Sequence, residues 1–115
     1  MSAIIYHMCP AEIWAAAVVA GRYDGTEDDR RDGFIHFSTA AQIRESARRH
    51  RAGQAGLVLV AVDSGRLGDR LRWEPAPDGA LFPHLYCKLS PHEASQVIKL
   101  PLGADGEHVF PPLGD

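Results

Sequence analysis

The sequence is short of several things, and each shortage removes a class of protein. It has two cysteines in 115 residues, Cys9 and Cys87. That is too few for a disulfide scaffold. No apolar run approaches the ~20 residues of a membrane span, and no charged-then-apolar leader opens the chain. Basic residues do not outnumber acidic ones: 12 Lys and Arg stand against 15 Asp and Glu, a net charge of −3. A protein that grips nucleic acid non-specifically needs a basic footprint, so that partner is not expected. These shortages point to a cytoplasmic protein with free thiols. No His-x-x-x-His or Cys-x-x-Cys pair is present, so a metal is not expected. The glycines match neither a dinucleotide fingerprint nor a phosphate loop.

What is present is ordinary globular composition, 45% hydrophobic and 23% charged. The length fits one domain over residues 1–115. Strand and helix patterns mix without strict alternation. They predict an α+β fold with a mostly antiparallel or mixed sheet and two main helices.

One stretch organises the rest: Gly33-Phe34-Ile35-His36-Phe37-Ser38-Thr39. As a strand, it puts Ile35 and Phe37 on one face and Phe34, His36 and Ser38 on the other. Ser38 or Thr39 then caps a helix from Ala40 to about Arg51, with Ile43 and Ala47 as its core contacts. Before it, residues 3–8 form a first strand that carries Tyr6 and ends near His7. A helix follows from Pro10 to Ala20, with Ile13, Ala16, Ala17 and Ala20 as its apolar stripe and Gly21 as its stop. Trp14 beside the stripe reads as packing. Cys9, just before this helix, is placed where a thiolate would be favoured, or else buried. Residues 22–32 are polar and acidic and read as a loop, either a solvated connection or a flap.

Leu57 to Val62 is the most hydrophobic strand and reads as central. Leu71 to Glu74 is another, with Arg72 and Glu74 on one face. In Phe82 to Tyr86, His84 and Tyr86 share a face. Ser90-Pro91 opens a short helix, Val97 to Leu100 is the last strand, and the Gly- and Pro-rich tail lies over the surface. Arg44, Arg48, Arg49, His50 and Arg51 read as a solvated helix end. His7, His36, Glu74 and His84, flanked by Tyr6, Ser38, Arg72 and Tyr86, are the candidate walls of one cleft. Apolar walls with a few convergent polar groups suit a small molecule.

Taken together, Ile5-Tyr6-His7, the Gly33–Thr39 stretch, the Leu57–Asp63 strand, Leu71-Arg72-Trp73-Glu74 and Leu81–Tyr86 resemble a family of small, mostly bacterial proteins. That family is catalogued as a domain of unknown function, family 952. The resemblance implies a fold like that of ADP-ribosyltransferases, a split and curved mixed sheet whose cleft holds NAD in active members. By that likeness His7 contacts a ribose hydroxyl and His36 lines the cleft. Glu74 is the candidate acid, and His36, Glu74 and His84 form the catalytic set. Tyr6, His7, Ser38, Arg72 and Tyr86 would bind the nucleotide. No cofactor is implied beyond NAD as a substrate. The rival reading is a non-catalytic interaction or ligand-binding module that keeps the fold.

Overall fold

A computed structural model describes residues 3–114. Two antiparallel sheets and three helices make up the architecture. The larger sheet has the order β3-β1-β4-β7, from Ser38–Thr39, Ile4–Pro10, Leu57–Asp63 and Ala94–Leu100. The smaller has the order β2-β6-β5, from Ile35–His36, Leu81–Leu85 and Leu71–Pro75. The helices are α1 (Ala11–Ala20), α2 (Glu27–Asp32) and α3 (Ile43–His50).

β4 is buried along almost its whole length, as its unbroken apolar run predicts, and lies between β1 and β7. Its neighbour β1 alternates. Ile5 and Cys9 enter one core with Val58, Val60 and Val62, Trp14, Tyr23, Phe37 and Leu85. Tyr6 and Met8 enter another with Leu57, Leu59, Ile43 and Ala47. The large sheet is therefore covered by α3 on one face, and by α1 and the small sheet on the other.

Several expectations need correction. The Gly33–Thr39 stretch is not one strand. It breaks at Phe37, whose amide donates to the Pro83 carbonyl at 3.0 Å. Ile35 and His36 pair with β6, whereas Ser38 and Thr39 pair with β1. Ser38 and Thr39 are thus strand residues and cap no helix. α3 begins later, after Gln42, whose side-chain oxygen accepts from the Thr39 amide at 3.0 Å.

The apolar stripe of α1 is also displaced. Trp14 and Ala17 are its buried residues, and Ile13 is exposed. Trp14 is the bulky side chain, and it turns its own face inward against Tyr23, with ring centroids 5.3 Å apart. The tail does more than cover surface: Phe110 and Leu113 pack against the α3-side core. Both sheets are antiparallel, which narrows the mixed-sheet alternative.

Candidate functional site

The acidic stretch read as a loop contains α2, and α2 supplies the hub of the site. Thr26 caps it: its side-chain oxygen accepts from the Asp29 amide at 3.3 Å, and the Thr26 amide donates to Asp29 Oδ2 at 2.7 Å. This reciprocal pair is a capping box. It turns Asp29 inward, to 2% exposure. Gly25 makes room with φ +97°, and a Cβ there would lie 2.6 Å from that of Asp29.

Asp29 Oδ1 accepts from the His36 amide at 3.1 Å and from His36 Nδ1 at 2.5 Å. His36 Nε2 reaches Asp32 Oδ2 at 3.0 Å. Burial works against charge on the Asp29 carboxyl. The hydrogen bonds from His36 and Thr26 and the nearby His7 ring outweigh it and hold the carboxyl down at about 2. Burial likewise works to lower His36, but its two carboxylate partners raise it overall.

His7 stands behind this pair, 2% exposed. Its Nδ1 lies 2.6 Å from the His36 carbonyl, which can only accept, so Nδ1 carries the proton. Nε2 then accepts from the Tyr23 hydroxyl at 2.6 Å. Burial lowers the His7 pKa despite Asp29, so the ring is neutral. Tyr23 also neighbours the Cys9 thiol, and burial raises both groups, Cys9 to about 11. Cys9 is therefore no activated thiolate. It lies on a strand inside the core and ahead of the helix start.

On the outer side, β2, β6 and β5 align their side chains across the small sheet. His36 is the register partner of His84, and His84 is the partner of Arg72. Partners in an antiparallel ladder point to the same face. Phe34 stacks on His84, with ring centroids 4.0 Å apart, and also touches His36 and Tyr86. Glu74 Oε1 accepts from His84 Nδ1 at 2.8 Å and from the Tyr86 hydroxyl at 2.6 Å. The Tyr86 and His84 hydrogen bonds lower the Glu74 pKa, and Glu74 raises that of Tyr86. The Arg72 guanidinium lies over the Tyr86 ring, 5.0 Å from its centroid.

The structure thus brings together His36, Glu74, His84, Arg72 and Tyr86. It puts His7 behind them with both nitrogens engaged, leaving no atom free for the ribose contact that the resemblance implied. Tyr6 and Ser38 are not part of this face. They are register partners on the other side of the large sheet, where Ser38 meets Ser46 at 2.9 Å and Tyr6 donates to the Gly114 carbonyl at 2.6 Å. Sequence reasoning missed Asp29, Asp32 and Tyr23. The Thr26-x-x-Asp29 spacing was the signal available for Asp29. Among the described residues, no group of three or more His, Cys, Asp or Glu side chains is arranged to hold a metal ion, and no helix is long and apolar enough to cross a membrane. A separate hollow of about 370 Å³ lies at Trp14, Val18 and the Pro91–Val97 segment, away from these histidines.

Residues 8–99 match the model of a family, DUF952, described as a protein of unknown function. The chain is similar to the crystal structure of protein CC0527 from Caulobacter crescentus, with 42% identity over 92% of this chain and 93% of that one, at a TM-score of 0.89. It is similar to the solution NMR structure of the same protein, with 43% identity over 90% of each chain, at a TM-score of 0.82. No curated protein matches.

Proposed function

The chain belongs to the DUF952 family, and on that premise we propose that the β2–β6–β5 face binds a small molecule bearing a flat ring, with NAD-type nucleotides as the first class to try. One observation carries this reading. Phe34, His36, His84 and Tyr86 form a contiguous cluster of rings beside a carboxylate, Glu74, that spends only one of its two oxygens on hydrogen bonds among the described residues. A ring stacks on such a surface, and hydroxyl groups bond at its polar edge.

In an ADP-ribosyltransferase-like reaction the bond from nicotinamide to ribose breaks and positive charge develops on the sugar. Glu74 supplies the opposing charge. The resemblance supports this step, and so does the lowered pKa of Glu74, which keeps it ionised. The two unpaired cysteines support a setting in the reducing cytoplasm. A second reading has its own observation. The first-strand histidine is sealed inward, which favours a ligand-binding module without transferase activity.

Thermal-shift titration with NAD, ADP-ribose and nicotinamide tests the proposal. A ligand at 100 times its Kd adds about 2.7 kcal/mol of stability. Phe34→Ala and Glu74→Gln are expected to abolish the shift while remaining folded. If none of the three ligands stabilises the wild type, the nucleotide reading fails. Binding without nicotinamide release selects the non-catalytic reading.

A further inference from the structure

Arg72 and Glu74 stand two residues apart on β5, on one face and with opposite charge, yet no ion pair joins them among the described residues. Tyr86 accounts for the separation. Its amide donates to the Arg70 carbonyl at 2.9 Å, whereas its hydroxyl donates to Glu74 Oε1 at 2.6 Å, further along the chain. The side chain therefore runs along β5 past Arg72. The guanidinium rests over its ring, 5.0 Å from the centroid, where the ring quadrupole attracts a cation. One tyrosine thus holds the carboxylate by its hydroxyl and the guanidinium by its ring, and keeps the two apart.

We propose that Tyr86 sets what this face accepts: it keeps Arg72 free for an anionic group and the second Glu74 oxygen free for a hydroxyl or N–H, so that the ligand is a flat-ring compound carrying both. The inference rests on the reading of this face as a ligand site, and it narrows that reading to ring compounds with a phosphate or a carboxylate.

Two cationic groups belong to the face, and one of them is spent. His36 has both ring nitrogens on carboxylates, those of Asp29 and Asp32. Arg72 makes no hydrogen bond or ion pair among the described residues. A guanidinium over a ring is held in place without using its N–H groups, and these form the planar fork that matches a phosphate or a carboxylate. Glu74 would repel such an anion, but the Tyr86 hydroxyl holds its carboxylate at the edge of the ring, away from the ring face that carries Arg72. Phe34, whose ring centroid lies 5.3 Å from that of Tyr86, offers the stacking surface beside both charges.

The test has two arms. The first needs no ligand: crystal structures of the wild type and of Tyr86→Leu read the separation of the two charges. Arg72 and Glu74 are expected to stay apart in the wild type and to meet as an ion pair in Tyr86→Leu. Tyr86 is exposed, so the variant is expected to fold, and a thermal melt checks this. A pair already present in the wild type, or charges still apart in Tyr86→Leu, overturns the proposal. The second arm is calorimetric titration with two matched pairs, AMP against adenosine and nicotinate against nicotinamide. The anionic member is expected to bind the wild type about tenfold tighter, the contribution of one charge-assisted hydrogen bond. Arg72→Gln is expected to erase that difference and leave the neutral members as they were, and Tyr86→Leu to erase it as well. A preference confined to AMP names phosphate as the group, one confined to nicotinate names carboxylate, and either supports the proposal. Equal affinity within both pairs, or a preference that survives Arg72→Gln, refutes this inference and leaves the ligand reading standing. No binding by any of the four removes the ligand reading itself.

Discussion

Asp29 and Glu74 do similar work in different surroundings. Each is a carboxylate that accepts from a histidine Nδ1 and from a second donor. Asp29 is 2% exposed and its donors are backbone amides and a half-buried ring, while Glu74 is 35% exposed and its second donor is a surface tyrosine. Among the described residues, hydrogen bonds occupy both Asp29 oxygens, whereas Glu74 accepts through Oε1 alone. Burial makes the first carboxylate a structural keystone, because any donor it loses has no water to turn to. Exposure leaves the second with little to do for stability and with an atom to offer a ligand.

That contrast is strongest for removal of the buried member. Asp29→Ala strips His36, its amide and the Thr26 amide of a partner at once. The expected loss is about 3–5 kcal/mol in urea unfolding, as for other broken buried pairs. A loss under about 1 kcal/mol would place Asp29 in the same class as a surface ion pair. His7→Ala comes next, at roughly 3 kcal/mol, from the cavity and the unsatisfied Tyr23 hydroxyl. Gly25→Ala should destabilise through both its φ of +97° and its collision with Asp29, without touching the outer face. Thr26→Ala removes the cap and costs about 1 kcal/mol.

The pH dependence sharpens the comparison further. Asp29 is held at about 2 in the fold against an ordinary value of 3.8. Its contribution is whole above the ordinary value and disappears as pH falls through the folded one. His7, lowered below 6.5 by burial, contributes above 6.5 and loses that contribution as pH falls through its folded value. His36 is raised, so its contribution is whole below 6.5 and is lost as pH rises through its folded value. His36→Asn is therefore expected to flatten the alkaline side of a stability profile and Asp29→Asn the acid side. The smallest effect belongs to Glu74→Gln, which should leave the melting temperature where it was while ligand binding disappears. A large drop in melting temperature would erase the distinction between the two carboxylates.

How much of this could be read from the chain follows the same division. The outer face was legible because strand alternation is a local rule. Arg72 with Glu74, and His84 with Tyr86, follow from spacing by two residues. The central strand was legible from its unbroken apolar run. The inner network was not, because its parts lie far apart in the chain and its hub sits in a charged segment. Six of the eight residues from Glu27 to Phe34 are acidic or basic, the other two being a glycine and a phenylalanine, and nothing in that composition announces a buried aspartate. Only the capping spacing from Thr26 hinted at it. The break at Phe37 was hidden because apolar residues on both sides of it suit a continuous strand equally well. Its consequence was large: Ser38 and Tyr6 belong to a different sheet face from His36.

The same break sets an order in time. Glu74 and His84 lie on one hairpin, β5 with β6, closed by a short turn. Contacts so close along the chain form early, since little entropy is lost in closing the loop. His36 reaches its place only when β2 has docked on β6 and, two residues on, β3 has docked on β1, whose other neighbour β4 is distant in sequence. Asp29 and His36 are seven residues apart, closer than the ten between Glu74 and His84, so each carboxylate meets its own histidine through a local contact. What comes late is the docking of β2 on β6, which sets one finished pair beside the other.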